Sequence, residues 1–450
     1  SDSGRTAFDE IRRGRVESPP ARLLGRKLTD VGIAHPNPAE LDAPLDVTVL
    51  IPARDRVHLL ERTLKSVGPA VAVIVVDDGS ADAAAVAETA TRHGATLVVR
   101  PESGGPGVAR CAGLEHVHTD FVAFLDSDCI APEGWLARLA AHFVDPMVAA
   151  VAPRIVASPS ATTVGHYSAA RGPLDMGERP ARVMPGTRVP YVPTAALVVR
   201  RRAVDNIARD RHIFNPGLRY GEDVDFIWRL HDAGWRIRFD PSVEVLHSEP
   251  ETWRDFLIRR FRYGTSAAPL SSLHPNAVSP LVLHPWPTLI VGSLLAGRPR
   301  LTAAGFAGSV AWIHWTLRQS GLPTRSLVRS TTKGAHQTWL GLGRYATQFA
   351  APVLAAAAIF SRSGARRSSW GRRVSVASLL IGPPVSKYLS SQPTIGPVRF
   401  VSGHVADDVA YGAGVWAGCL RHRTIRPLCP RPLLPRGLFP RGRGRQFNRR

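Results

Sequence analysis

From residue 47 onward, short apolar runs alternate with polar breaks rich in Gly and Asp. VTVLI opens at Val47 as a buried-strand run ended by Pro52. His58 to Val67 is compatible with a helix, and VAVIVV (71–76) is a second strand ended by Asp77-Asp78-Gly79-Ser80. Strand, helix, strand at this spacing predicts a parallel sheet. The pattern continues with an Ala-rich helix from Ala83 to His93, a strand over 96–100, a Gly-rich turn and helix from Gly104 to His116, and the strand FVAFL running into Asp126. Because the polar motifs follow strand ends, they are expected to converge on one crevice of an open α/β sheet.

After Phe143 the spacing becomes irregular. VAAVAPRIV (148–156) and YVPTAALVVR (191–200) read as strands around a long insertion. A helix starts at Gly221-Glu222-Asp223, carries Val224, Ile227 and Trp228 on one stripe and ends near Gly234; a Pro-containing strand, Ile237 to Leu246, follows. Residues 1–45 are polar and basic, with one helical stretch from Ala21 to Val31. No leader pattern is visible at the first residues, although the missing initial Met leaves the true start open upstream.

Charge divides the 450 residues in two. Residues 1–253 hold 29 basic and 33 acidic side chains, whereas 254–450 hold 28 basic and only 3 acidic ones. Four uncharged stretches (263–297, 301–317, 345–361 and 374–386) alternate with Arg/Lys clusters in the second half. That pattern predicts helices in contact with a membrane, spanning or interfacial, with a buried helical domain as the alternative. A cation excess of this size also suits nucleic acid, which leaves a basic nucleic-acid-binding protein as the rival class; its alternation with apolar runs suits anionic lipid at least as well, and no nucleic-acid partner is expected. The four cysteines are too far apart for a CxxC site, and a reducing compartment is the default. The tail from Arg421 to Arg450, rich in Pro, Arg and Gly, is expected to be disordered.

The candidate chemistry lies in the first half. Asp77-Asp78 is either a capped turn or a carboxylate pair that receives a nucleobase or ribose. Asp126-Ser127-Asp128 presents two carboxylates at i and i+2, which can share a hard cation with a diphosphate, or forms a turn. Gly104-Gly105-Pro106-Gly107 lacks both the GK[ST] and the GxGxxG order; Arg110 behind it either meets a diphosphate at the crevice rim or is solvated. Glu222, Asp223 and Asp225 crowd one helix entrance, where two acids would already satisfy the dipole, so one of them is a candidate base. His247, beyond a strand end, is structural or completes a metal shell.

Taken together, VTVLIPARDR (47–56), VIVVDDGSAD (73–82), FVAFLDSDC (121–129), GEDVDFIWRLHDAGW (221–235) and the His of VEVLHS (243–248) resemble family 2 glycosyltransferases of the GT-A fold. The helical remnant ending in GIAHPNP (32–38) and the long basic, apolar C-terminal region look like the glycosyltransferases of the mycofactocin system. The resemblance implies an α/β, Rossmann-like nucleotide-diphospho-sugar transferase domain over 46–264. It would be preceded by a helical remnant or linker (1–45) and followed by a membrane-associated helical region (265–420) and the tail (421–450).

It further implies transfer of a sugar, glucose from UDP-glucose, onto a hydroxyl of the peptide-derived premycofactocin with inversion, or alternatively onto a lipid or cell-envelope glycan. Pro52, Ala53, Arg54 and Asp78 would line the nucleotide pocket. Asp126, Asp128 and His247 would hold Mg2+ or Mn2+, Asp223 would be the general base and Glu222 its neighbour. Arg259-Arg260-Phe261-Arg262-Tyr263 stands where processive relatives carry Gln-x-x-Arg-Trp; lacking the Gln and the Trp, it argues against long-chain synthesis. The implied location is the cytoplasmic face of the cell membrane.

Overall fold

The computed structural model describes residues 2–39, 45–208, 212–318, 323–351, 353–354 and 366–432. They form two compact units. Unit 1 comprises the described residues up to Phe256 together with Ser272–Ala277; unit 2 comprises Leu257–Ser271 and the described residues from Val278.

Unit 1 begins with two helices, α1 (Asp2–Arg12) and α2 (Pro19–Asp30). The sequence pattern showed only the second, because α1 is polar and buries Ala7 alone. Ser18 caps α2 by accepting from Ala21 N–H, and the Glu10 carboxylate accepts from the Ser18 hydroxyl, joining the helices end to end.

The main sheet runs β3 (Thr96–Arg100), β2 (Ala72–Asp78), β1 (Val47–Ala53), β4 (Phe121–Leu125), β8 (Ala196–Arg200), β6 (Val148–Ala157), β9 (Arg236–His247) and β5 (Cys129–Ile130), with β7 (Ala181–Arg182) also on β9. The first four strands are mutually parallel. β8 enters antiparallel to both β4 and β6 and makes the sheet mixed. Val49, Ile51, Val75, Ala123 and Leu125 lie in its core without exposed surface. β1 continues through Pro52 because its ladder to β4 ends at Leu50↔Phe124. Beyond that point only β2 flanks it, and a proline is tolerated as at a sheet edge. The 191–200 run forms a strand only from Ala196; the residues before it turn past the end of β4, where Ala195 C=O accepts from Asp126 N–H.

Four further helices belong to the site and its surroundings: α3 (Val57–Val67), α4 (Ala83–Arg92), α5 (Pro106–Leu114) and, later in the chain, the helix Glu222–Asp232, called αC here.

Unit 2 contains the helices Pro285–Leu295, Pro299–Thr316, Thr324–Phe349, Arg366–Ser391 and Pro397–Arg421. These helices meet one another through small residues: a Cβ added to Gly308 would fall 2.8 Å from the Trp286 ring, and one added to Gly412 1.8 Å from Gln348 C=O. The membrane expectation is corrected here. Among the described residues no helix is long and apolar enough to cross a membrane. Ser, Thr and Gly dilute these helices, Thr331, Thr338 and Thr347 being buried against protein, and Pro383 and Pro384 lie inside one of them. The placement at a membrane face and the lipid partners inferred from composition therefore lose their basis. Of the expected disordered tail, residues 421–432 are ordered, with Pro427 and Leu428 buried and Arg431-Pro432 paired with Val282-Leu283; residues 433–450 lie outside the described residues.

Candidate active site

The loops after β1, β2 and β4 open on one edge of the sheet. Asp78 ends β2 almost fully buried, and its carboxylate accepts from Ser103 Oγ (2.8 Å), Gly104 N–H (3.1 Å), Gly105 N–H (2.8 Å) and Arg100. It thereby fixes the entry to α5. Arg54 donates to Ser103 Oγ at 3.1 Å. Pro52 and Ala53 are buried at the end of β1. The next two residues, Asp55 (φ 56°) and Arg56 (φ 48°), hold left-handed backbone that non-glycine residues seldom adopt. Two hydrogen bonds keep the loop there: Ser80 Oγ accepts from Asp55 N–H at 2.8 Å, and Asp55 Oδ1 accepts from Ala81 N–H at 2.9 Å.

Asp126 and Asp128 lie in the turn between β4 and β5. The antiparallel register pairs Cys129 with His247, which brings the end of β9 to Asp128: His247 Nε2 stands 3.5 Å from Asp128 Oδ1. His247 Nδ1 faces Glu249 Oε1 at 3.0 Å, a carboxylate only 5% exposed. A carboxylate on one ring nitrogen is how histidine ligands are oriented in metal sites, and Glu249 on Nδ1 leaves Nε2 toward Asp128. Arg56 approaches the other Asp128 oxygen at 3.8 Å. Asp126, by contrast, is bonded by Arg110. Among the described residues no group of three or more His, Cys, Asp or Glu side chains could hold a metal ion. Asp128 and His247 thus offer two donors, a set that suits a hard or borderline divalent ion only when further oxygens complete the shell.

Arg110 is neither at a rim nor solvated. It is 2% exposed, donates to Asp126, and has Nη1 3.5 Å from Glu222 Oε1. Gly107, one turn earlier in α5, permits this closeness, since a Cβ there would come 2.9 Å from Glu222 Cγ. Burial works against the Arg110 charge, but Asp126 and Glu222 outweigh it and push its pKa up.

Glu222 and Asp223 open αC. Burial, then the charge of Asp223, pushes Glu222 up to about 8, against the pull of Arg110. Burial likewise raises Asp223 to about 6. Asp223 Oδ1 accepts from Val224 N–H at 2.8 Å, and Oδ2 makes no hydrogen bond among the described residues. At neutral pH, Asp223 is the acid of this pair poised to accept a proton. Asp225, the third acid, faces the other way: it pairs with Arg229 (2.9 Å) and with His274 Nε2 (2.8 Å), all within unit 1.

The structure therefore gathers Asp126, Arg110, Glu222 and Asp223 into one charged network, with Asp128 and His247 at the adjoining strand pairing. Asp78 and Arg54 stand at the neighbouring loops. Arg260, from the 259–263 segment, pairs with Asp407 inside unit 2. Glu249 and Arg56 were not singled out in the sequence: Arg56 ends the VTVLIPARDR motif without an assigned role, Glu249 lies outside the motifs, and the left-handed loop and the β5–β9 register reveal them.

This constellation, on a mixed sheet with acidic turns at its strand ends, defines a sugar-nucleotide transferase domain of GT-A type. The family model for glycosyl transferase family 2 matches residues 48–208. The chain belongs to that family, because a relative of the same kind matches it over nearly its whole length. That relative is the Pre-mycofactocin glycosyltransferase of Mycobacterium tuberculosis, from strains CDC 1551 and H37Rv. It is 37% identical over 433 residues, which cover 93% of this chain and 89% of the relative. The succinoglycan biosynthesis protein ExoM of Rhizobium meliloti is 30% identical over 168 residues, 35% of this chain and 50% of that protein. Among solved structures, the mannosyltransferase PcManGT from Pyrobaculum calidifontis, in complex with GDP-Man and Mn2+, is 19% identical with a TM-score of 0.41. That match covers 75% of this chain and 98% of the other.

Proposed function

We propose that this glycosyltransferase moves a sugar, glucose from UDP-glucose, onto a hydroxyl of pre-mycofactocin, with inversion at the anomeric carbon. The observation that carries the acceptor is the likeness to the pre-mycofactocin enzyme across 433 residues, which extends well beyond the family domain on both sides. The chemistry rests on the acids at the start of αC.

The acceptor hydroxyl approaches Asp223, whose free Oδ2 takes the proton as the hydroxyl oxygen bonds the anomeric carbon. The bond from that carbon to the diphosphate oxygen breaks with its electron pair on the diphosphate, and a single displacement inverts the centre. Glu222, protonated near neutral pH by its burial, is suited to donate a hydrogen bond rather than to act as a second base. Arg110 holds Asp126 and Glu222 in register from behind. Asp128 with His247 would hold Mg2+ or Mn2+, which when bound offsets the charge on the leaving diphosphate, while Asp126 stays on Arg110. Glu249 keeps the His247 ring turned toward Asp128. Asp78, Arg54, Pro52 and Ala53 would form the nucleotide pocket.

The test is a comparison of acceptors: purified full-length chain, UDP-glucose, and either pre-mycofactocin or a polyprenyl phosphate. Glucosylation of pre-mycofactocin with none of the polyprenyl acceptor is expected. The opposite preference would reject this reading in favour of a lipid-linked glycan.

A further inference from the structure

The chemistry described above lies at the N-terminal end of αC. Near its other end, unit 1 contains a cavity of about 330 Å3, lined by Gly32, His35, Arg179, Arg182, Met184 and Arg188 among others. His231, in the last turn of αC, feels the charge of Arg182. Eleven residues of helix at about 1.5 Å each separate the two ends by roughly 16 Å. None of the residues that line the cavity belongs to the transfer site.

Its cations greatly exceed its anions. Arg182 and Arg238 face each other across the β7–β9 register, so their side chains share one face of the sheet. Arg238 is 3% exposed, its Nε and Nη1 are without a hydrogen-bond partner, and it makes no ion pair among the described residues. The two nearby carboxylates are engaged elsewhere: Asp30 bonds Arg236 at 2.9 and 3.2 Å, and Asp145 bonds Arg236 at 2.8 Å. Arg182 comes only within 3.9 Å of Asp30, and its Nε is also unpartnered. Arg188 donates to the carbonyls of Met176, Arg179 and Pro180. Burial lowers Arg238 to about 10, which still leaves it charged at neutral pH. Burial and then the charges of Arg238 and Arg188 lower His35.

Asp145 and Asp30 act on Arg238 only from a distance, and a buried guanidinium that no carboxylate pairs directly is unfavourable unless an anion arrives to pair with it. Here it stands beside a cavity large enough for a small ligand, among further guanidiniums whose planar forks match phosphate oxygens. We propose that this cavity is a second binding site of the protein, one that takes a phosphate group, free or as the monoester of a small organic molecule. Val31, Met184 and Val189 on its walls provide apolar surface for an organic substituent.

The experiment uses the full-length chain with inorganic phosphate or glycerol 3-phosphate as probe, against sodium chloride at equal ionic strength. Thermal shift gives the apparent affinity and hydrogen exchange gives the location. Either probe is expected to raise the melting temperature and to slow exchange in residues 31–35 and 179–189; tighter binding of the ester than of phosphate identifies the monoester as the source. Arg238→Met should weaken the response roughly tenfold or more, the loss expected for a charged hydrogen-bonding group. Arg179→Gln, at an exposed position that does not endanger folding, should weaken it less. Exchange that is unchanged in those segments, or a response that is equal in parent and both variants, overturns the proposal.

Discussion

The guanidinium of Arg110 is bonded to the carboxylate of Asp126, so the two acids of the Asp-Ser-Asp turn are not equivalent. Asp126 is tied back into the domain, whereas Asp128 faces His247 and Arg56. Asp128→Asn is therefore expected to abolish transfer and the Mn2+ dependence of UDP binding. Asp126→Asn should keep part of that dependence while disturbing Arg110. Isothermal titration of UDP with and without Mn2+ checks this, and equal losses in the two variants would show that both acids serve alike.

Asp223→Asn should bind UDP-glucose with near-parental affinity and lose roughly 10² to 10⁴ in transfer rate, the usual cost of a missing general base. In the parent, kcat/KM should rise with pH as Asp223 ionises near 6. A variant that retains turnover within a few-fold would reduce Asp223 to a helix-capping residue.

Glu222 is an acid whose folded-state pKa, about 8, lies above its ordinary value. Folding therefore favours its protonated form, and this contribution is fully present below about 4.5 and is lost as pH rises through 8. Glu222→Gln mimics the protonated acid. Its melting temperature should gain on that of the parent as pH increases over this window, and a difference that does not change with pH would contradict the assigned state.

Asp225 is held below the usual carboxylate range. Burial opposes its ionisation, but His274 and Arg229 outweigh that. Its stabilising contribution is present above the unfolded value and fades as pH falls through the lower folded one. Asp225→Asn leaves Arg229 buried without its partner and should cost about 3–5 kcal/mol of stability, the range for a broken buried pair. Denaturant unfolding measures this. Transfer by the molecules that remain folded should persist, because Asp225 points away from Asp223.

The acidic turns were legible in the sequence because strand ends and helix starts announce themselves by local pattern: Asp77-Asp78 and Asp126-Ser127-Asp128 follow strands, and Glu222-Asp223 opens a helix behind Gly221. What local pattern does not carry is pairing at a distance. Nothing around Arg110 shows that Asp126 and Glu222 will close over it, and Glu249 gains its place only from the Cys129↔His247 register. The uncharged stretches after residue 263 misled for a related reason. Composition does not distinguish a helix facing lipid from one facing Gly, Ser and Thr of its neighbours, and the packing of Gly412 on Gln348 is of the second kind.

His274 belongs to unit 1 although Leu257–Ser271 and the described residues from Val278 belong to unit 2. Its imidazole touches Asp225 and stacks edge-on against Trp228 with ring centres 5.1 Å apart. A shortened protein that stops at residue 264, where the sequence alone suggests a domain end, would therefore lack a side chain that steadies αC. For the same reason, this glycosyltransferase domain is not a cassette that recombination can lift out and join to another C-terminal region by a single crossover. A hybrid would have to carry 272–277 with it, or evolve a substitute partner for Asp225.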